Sequence, residues 1–427
     1  MPAGDSAHFV RDLVRDELDL SAILDTYDEE RGFPPYHPVM MTALLLYAYT
    51  QGVRSSRKIA RGCATRVDFM AVTAMQKPDF RTISDFRLRH LDAVAELFGQ
   101  VLRLCEKAGL VKLGHVALDG TKVQANASKH SAMSYGRMKK TEQQLKAEIS
   151  AWFKKAAEED EDEDRLYGKD KGGDEMPDWV ADKQKRVEVI RAAKAALEAD
   201  AKAQLAAGVK PEPPDKPDGG GGKKRKKKKH APKANGEPND KAQLNFTDPE
   251  SKLMKGSDGF LQAYNCQAAV DTTAQVIVAH DVSNQQADAP QLPAMVKQIR
   301  ERMRRNPKEL SADAGYCSEA NLKELRRHRI RGYVATKRQK HGGSSENKPK
   351  RAERQGPEAT RMRLRIARAR YRSRYRLRKQ TVEPVFGQMK EGLGMRRMLM
   401  RGLKKVRSEW ALNCLTHNLT KLIRSAA

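Results

Sequence analysis

Three acidic residues stand in sequence contexts that would let them act together. Asp119 lies in LDGTK, Asp313 in LSADAGY and Glu383 in QTVEPVFGQMK. The two aspartates are expected at the ends of short strands. Glu383 is expected at the start of a late helix, because Pro384 disfavours α geometry in the residue before it and fits a first helical position. Taken singly, a DG or AD pair is a turn signal. Taken together, three convergent carboxylates would seat hard divalent cations. Mg²⁺ prefers oxygen ligands, keeps several waters and takes one or two carboxylates per ion. Two ions about 3.5–4 Å apart would bridge the attacking and leaving oxygens of a phosphodiester and lower the pKa of a bound water. Neighbouring strands are about 4.8 Å apart, so aspartates on adjacent strand ends can share one ion while the third carboxylate holds the other. Asp271 and Asp281 are rival acids near strand ends; Asp271 reads as a hairpin turn residue, Asp281 as a solvated or supporting one.

The elements that must position these acids can be read along the chain. Residues 7–110 read as helical, with an apolar helix after Pro38, a weak helix–turn–helix pattern over 55–75 broken near 62–64, and a longer helix from Thr82, with Asp85 completing a capping box, to Gly109. HVALDGTKV (115–123) is short and β-like. Residues 137–207 return to helical spacing in two halves, Leu145/Ile149/Trp152/Ala156 and Val187/Ile190/Leu197/Ala201/Leu205, around an acidic run at 158–164 and the segment GDEMP, which predicts an antiparallel hairpin with a solvated tip. Residues 208–258 read as a flexible basic linker that includes PEPPDKPDGGGG and KKRKKKK. From 259 the pattern predicts a strand hairpin (260–270 and 275–282), a helix near 288–304, a strand at 309–313, a helix capped by Ser318, a strand at 332–336, a polar loop at 338–360 and a long basic, then amphipathic, helical stretch. Strand, insertion, two strands, then alternating helices and strands is the ribonuclease-H-like order, an α/β (or α+β) fold around a mixed sheet. The expected domains are an N-terminal helical domain (1–110), a domain carrying the three acids (111–123 and 259–427), a helical-hairpin insertion (124–207) and the linker (208–258).

Charge points to the partner. Of 427 residues, 82 are Lys or Arg and 55 Asp or Glu, a formal net charge of +27, which favours polyanions. The stretch RMRLRIARARYRSRYRLRK (361–379) holds ten bases and no acid, so phosphate contact is expected there. Arg54, Arg57, Lys58, Arg61 and Arg66 are expected on phosphate beside a helix reading base edges, with a plain helical core as the alternative. Lys122 and Lys390 are expected near the scissile phosphate or in solvent. The longest apolar run, PVMMTALLLYAYT, is shorter than the roughly 18–20 residues that span a bilayer, and no secretory pattern opens the sequence, so a cytoplasmic, nucleoid-associated protein is expected, with no membrane partner. The five cysteines form no CxxC pair, which argues against a zinc site or disulfide framework.

The three acidic motifs resemble the active-site motifs of DDE transposases of bacterial insertion sequences, and RTISDFR (81–87) is similar to part of the DNA-end-binding domain of one such group. The resemblance implies a ribonuclease-H-like catalytic domain, two Mg²⁺ (or Mn²⁺) ions held by Asp119, Asp313 and Glu383, cleavage at terminal inverted repeats, strand transfer into target DNA, and a homodimer or higher oligomer on double-stranded DNA. Carried across, the basic residue four before the glutamate is Lys379 and the lysine seven after it is Lys390, while Arg376 occupies the family's tyrosine position and Tyr375 precedes it. Arg81 joins Arg54 and Arg57 as expected DNA contacts. A nuclease of the same fold without strand transfer, and a non-catalytic DNA-binding descendant, are the alternatives.

Overall fold

The computed structural model describes residues 2, 4–27, 36–167, 178–209, 211, 231–256, 259–336 and 356–426. The KKRKKKK cluster, the PEPPDKPDGGGG segment, GDEMP and most of the polar loop at 338–360 lie outside the described residues, as do the side chains of the acidic run at 158–164, of Trp152 and of Ala156. The chain divides into two compact units, residues 1–126 with 263–427, and residues 127–262.

The first unit opens with helices α1 (Ser6–Asp16), α2 (Ser21–Leu24), α3 (Pro38–Thr50), α4 (Ser56–Thr65), α5 (Val67–Val72), α6 (Phe80–Arg89) and α7 (Leu91–Lys107). α3 is apolar on every side, buries ten of its residues and serves as the inner helix against which α1 and α5 pack. The helix expected to run from Thr82 to Gly109 is two helices. Asp79 caps α6 by accepting the Arg81 and Thr82 amides at 2.7 and 3.1 Å. His90 leaves helical geometry (φ −107°, ψ 15°) and serves both ends, its N–H donating to Phe86 and its carbonyl accepting from Val94. Its ring is held at 2.9 Å from the Tyr27 hydroxyl, which fixes the break. The break expected near 62–64 falls at Arg66.

The strands of this unit are β1 (His115–Gln124), β5 (Gly259–Asp271), β6 (Ile277–Ser283), β7 (Glu309–Ala312) and β8 (Arg331–Val334), in the order β6-β5-β1-β7-β8. β5 runs antiparallel to both β6 and β1, while β7 and β8 run parallel to β1. This is the mixed sheet expected from the sequence. α10 (Gln291–Met303) and α11 (Glu319–Arg327) make the crossovers; Ser318 caps α11 as expected, accepting from the Asn321 amide. α12 (Pro357–Ala367), α13 (Ala369–Gly387), a π-helical turn (Gln388–Gly392) and α14 (Leu403–Ala426) complete the unit. α14 packs along α7 and against β6, burying Trp410, Leu412, Leu415 and Leu419. Asp271 is the predicted turn residue: its carboxylate accepts the Thr273 amide at 2.8 Å and that of Leu113 at 2.7 Å, closing the β5–β6 hairpin and pinning the entry to β1.

The second unit contains β2 (Ala132–Ser134), α8 (Tyr135–Tyr167), α9 (Asp178–Ala206), β3 (Gln243–Asn245) and β4 (Lys252–Gly256). α8 and α9 form the expected helical hairpin around Tyr135, Met138, Leu145, Val187, Ile190 and Leu197. The linker expectation is corrected for part of its length. β3 pairs antiparallel with β2, Leu244 enters the hairpin core, and β4 joins the opening of β5.

Candidate catalytic centre

Asp119 and Asp313 are brought side by side by strand register. β1 and β7 pair in parallel, ending with Leu118 opposite Ala312, so Asp119 and Asp313 are the next residue on each strand. Asp119 does not end β1, as the sequence had suggested; β1 continues to Gln124 because its other edge stays paired to β5, with Asp119 opposite Ala268. The acid therefore sits mid-strand, where pairing on one side stops and an edge opens. Asp313 caps the short turn Ala314–Tyr316, its Oδ1 accepting the Gly315 amide at 2.8 Å.

Glu383 lies inside α13 rather than at a helix start, and Pro384 is an interior proline. An interior proline leaves the carbonyl four residues back without its usual donor. Here that carbonyl, Gln380 O, accepts the Gln275 side-chain amide at 3.0 Å, so the helix passes through. The face of α13 that meets the sheet is marked by buried Val382, Val385 and Phe386. Arg378, one turn before Val382, lies on this face. Its guanidinium is ion-paired to Asp119 and stands 3.2 Å from Glu383. Asp119 and Arg378 are 17 and 12 % exposed, and Glu383 47 %. Arg378 Nε is buried without a hydrogen-bond partner among the described residues. Burial pushes the Asp119 carboxyl up to about 6; Arg378 opposes this, whereas Asp313 and Glu383 reinforce it, as neighbouring negative charges must.

The other expected site residues are placed as follows. Lys379 is exposed, and the inward arginine is its neighbour Arg378. Tyr375, one turn before Arg378, is half-buried with its pKa raised by burial. Lys122 Nζ lies 3.4 Å from Asp288 and 3.3 Å from the Gln286 carbonyl. Lys390, in the π-helical turn, is half-buried, and burial lowers its pKa. Arg57 and Arg81 are exposed and flank the Phe80 ring at 4.9 and 5.8 Å. Arg54 corrects the expectation of phosphate contact. It is 7 % exposed, its guanidinium donates to the Gly394 and Arg397 carbonyls at 3.1 Å each, and it pairs with buried Glu409 at 2.6 Å. Arg66 is paired with Asp68 at 2.5 Å.

Sequence reasoning missed Arg378 and Asp288. The helical phase of the buried valines would have pointed to Arg378; Asp288 sits before α10 in no recognisable motif. A divalent cation suits a set of three carboxylates by donor type, although among the described residues no group of three His, Cys, Asp or Glu side chains is already arranged to chelate one. In this arrangement Arg378 supplies the positive charge between Asp119 and Glu383.

A mixed sheet that sets two aspartates on adjacent strands, with a glutamate delivered by a late helix, defines a ribonuclease-H-like, nucleic-acid-cleaving class of protein. Comparison with protein families agrees: the family described as "Transposase DDE domain" matches residues 237–419, and the one described as "Transposase domain (DUF772)" matches residues 1–89. Both matches are to transposase domains, and the longer one, which contains Asp313 and Glu383, is to a DDE domain. Searches of curated proteins and of solved structures found no match. No helix among the described residues is long and apolar enough to cross a membrane.

Proposed function

We propose that this protein is the transposase of an insertion element, cutting DNA at the element's terminal inverted repeats and joining the freed ends to target DNA. The observation that carries the reading is the β1–β7 register, which makes Asp119 and Asp313 neighbours, with Arg378 tying Glu383 to the same place. Asp119, Asp313 and Glu383 are the residues that would hold Mg²⁺ or Mn²⁺, two ions in all. Bound there, the ions would supply an activated water and charge neutralisation at the leaving oxygen. Water would attack the phosphodiester at the element end, the 3′-oxygen leaving as a hydroxyl; that hydroxyl would then attack a target phosphodiester and displace the target strand's own 3′-oxygen, so each P–O bond made replaces one broken and no covalent protein–DNA bond is needed.

The remaining residues bind and orient DNA. Lys122, Lys379 and Lys390 come from the same strand and the same helical stretch as the carboxylates and serve phosphates near the cut. Arg57 and Arg81 serve phosphates from the N-terminal helices, and the arginine-rich face of α12 and α13 adds sequence-independent attraction. Action on two ends requires a dimer or higher oligomer on DNA, and the reaction belongs in the cytoplasm, at the nucleoid.

The test is incubation of the purified protein with Mg²⁺, DNA carrying the element's ends and a plasmid target. Joined products are expected. Nicking without joining would support the nuclease reading, and cleavage undiminished by Asp119→Asn or Asp313→Asn would overturn the assigned centre.

A further inference from the structure

We propose that Asp288 is a fourth carboxylate of the catalytic centre, with Oδ1 fixed by the protein and Oδ2 offered beside Asp313 as an oxygen donor to the divalent cation. The proposal rests on the catalytic reading above and adds a residue that none of the three acidic motifs contains.

Asp288 is anchored through one oxygen by a network built for it. Its Oδ1 accepts the Asn265 amide at 2.7 Å and the Gln267 amide at 3.1 Å, with Lys122 Nζ at 3.4 Å. Asn265 and Gln267 are fully buried on β5, the strand beside β1. Gln267 is itself held: its amide also donates to Asn265 Oδ1 at 2.9 Å, its side-chain oxygen accepts the Tyr316 hydroxyl, and its main-chain oxygen accepts the Trp410 indole at 3.0 Å. Two fully buried amides aimed at one carboxylate oxygen are a costly arrangement unless that carboxylate must be held in place.

The other oxygen faces the centre. A methyl group built on Gly315 would lie 3.0 Å from Asp288 Oδ2 and 3.0 Å from Asp313 Oδ1, so the two carboxylates converge over that glycine. A methyl group on Gly120 would lie 3.0 Å from Asp288 Oδ1 and would collide with Gln267. The glycines of LDG and ADAG therefore have one common reason: each follows a catalytic aspartate closely and leaves room for Asp288 and its anchors. Two converging carboxylates, one pinned through a single oxygen by two amides and the Lys122 ammonium so that its other oxygen is left to accept, are a hard-cation environment.

The experiment is calorimetric titration of Mn²⁺ into the full-length protein without DNA, for wild type, Asp288→Asn, Gly315→Ala and Asp119→Asn, with melting temperatures recorded without cation. Asp288→Asn keeps an acceptor for Asn265 and Gln267 but removes the charge; Mn²⁺ affinity is expected to fall about ten-fold or more while cation-free melting does not fall. Gly315→Ala, which spreads the two carboxylates without touching the Asp288 anchors, is expected to weaken Mn²⁺ binding too, and it decides the matter should Asp288→Asn not fold. Wild-type affinity in Asp288→Asn, or in Gly315→Ala where that variant decides, together with lost affinity in Asp119→Asn, would overturn the proposal and leave the catalytic reading standing. Wild-type affinity in Asp119→Asn would overturn the catalytic reading and this proposal with it.

Discussion

Arg378 forms an ion pair with Asp119 although the two are separated by most of the catalytic domain, and the same guanidinium stands 3.2 Å from Glu383. A cation from the protein thus lies where the proposed reaction would need a cation from solution. Removing it leaves mutually repelling carboxylates. Arg378→Gln is expected to destabilise the cation-free protein by about 1–3 kcal/mol, the usual range for stranding a charged hydrogen-bond partner, and to tighten Mn²⁺ binding because no guanidinium has to be displaced. Denaturant unfolding with and without saturating Mn²⁺ checks this: the deficit should shrink when the cation is present. An equal deficit in both conditions would show that Arg378 is only a structural bond.

Arg54 and Glu409 form a second ion pair, one that binds no DNA in this reading. Glu409 is fully buried and also accepts the Leu399 and Met400 amides at 2.9–3.0 Å, while Arg54 holds the Gly394 and Arg397 carbonyls. Together they fix the loop between the π-helical turn and α14. Breaking a buried pair strands its partner and costs about 3–5 kcal/mol. Arg54→Ala is therefore expected to lower the unfolding free energy by that amount, as measured by denaturant melts, and to affect DNA binding only through loss of folded protein.

The difference between Arg54 and its neighbour Arg57 shows what the sequence conveyed and what it withheld. Hydrophobic periodicity carried the strand order, the hairpin insertion, α3 and the Ser318 cap, because each depends on residues close together in the chain. The convergence of Asp119 with Asp313 was legible because both follow apolar strand runs. Arg54 read as one more surface base because its partner, Glu409, lies far along the chain. Glu383 was expected at a helix start because nothing near Pro384 revealed that Gln275 would satisfy the Gln380 carbonyl. Lys379 was chosen over Arg378 by motif spacing, whereas the packing face of α13 selects Arg378. β3 and β4 were lost in the linker because three and five residues carry too little alternation to stand out.

Arg57 and Arg81 bracket the partly exposed Phe80 ring and present two guanidiniums on one surface. As phosphate contacts they should contribute affinity without sequence preference. Arg57→Ala and Arg81→Ala are each expected to weaken binding of end DNA and of unrelated DNA alike, and to reduce the slope of log affinity against log salt by about 1. Their melting temperatures should stay near wild type. Salt titrations of binding by fluorescence anisotropy test the point; an unchanged slope in both variants would remove this surface from the DNA path.

His417 sets an acid limit on the fold. It is fully buried on α14, its Nε2–H donates to the Gln275 carbonyl at 2.9 Å, and its Nδ1 has no partner among the described residues. Burial drives its pKa from 6.5 down to about 4; the Gln275 hydrogen bond opposes the shift, and nearby Lys421 and Arg424 add to it. A depressed folded-state pKa means that the unfolded chain takes up the proton first. The contribution of His417 to stability is thus complete above pH 6.5, declines as the pH falls below it, and is exhausted below about 4, a loss of about 3 kcal/mol over the interval. His280, also buried with its pKa well below the ordinary histidine value, acts in the same direction. Unfolding free energy measured by denaturant at successive pH values should fall across this window, and His417→Gln, which can keep a donor for Gln275, should flatten the fall and leave only what His280 and the carboxylates impose. An identical pH profile in that variant would rule His417 out as the cause.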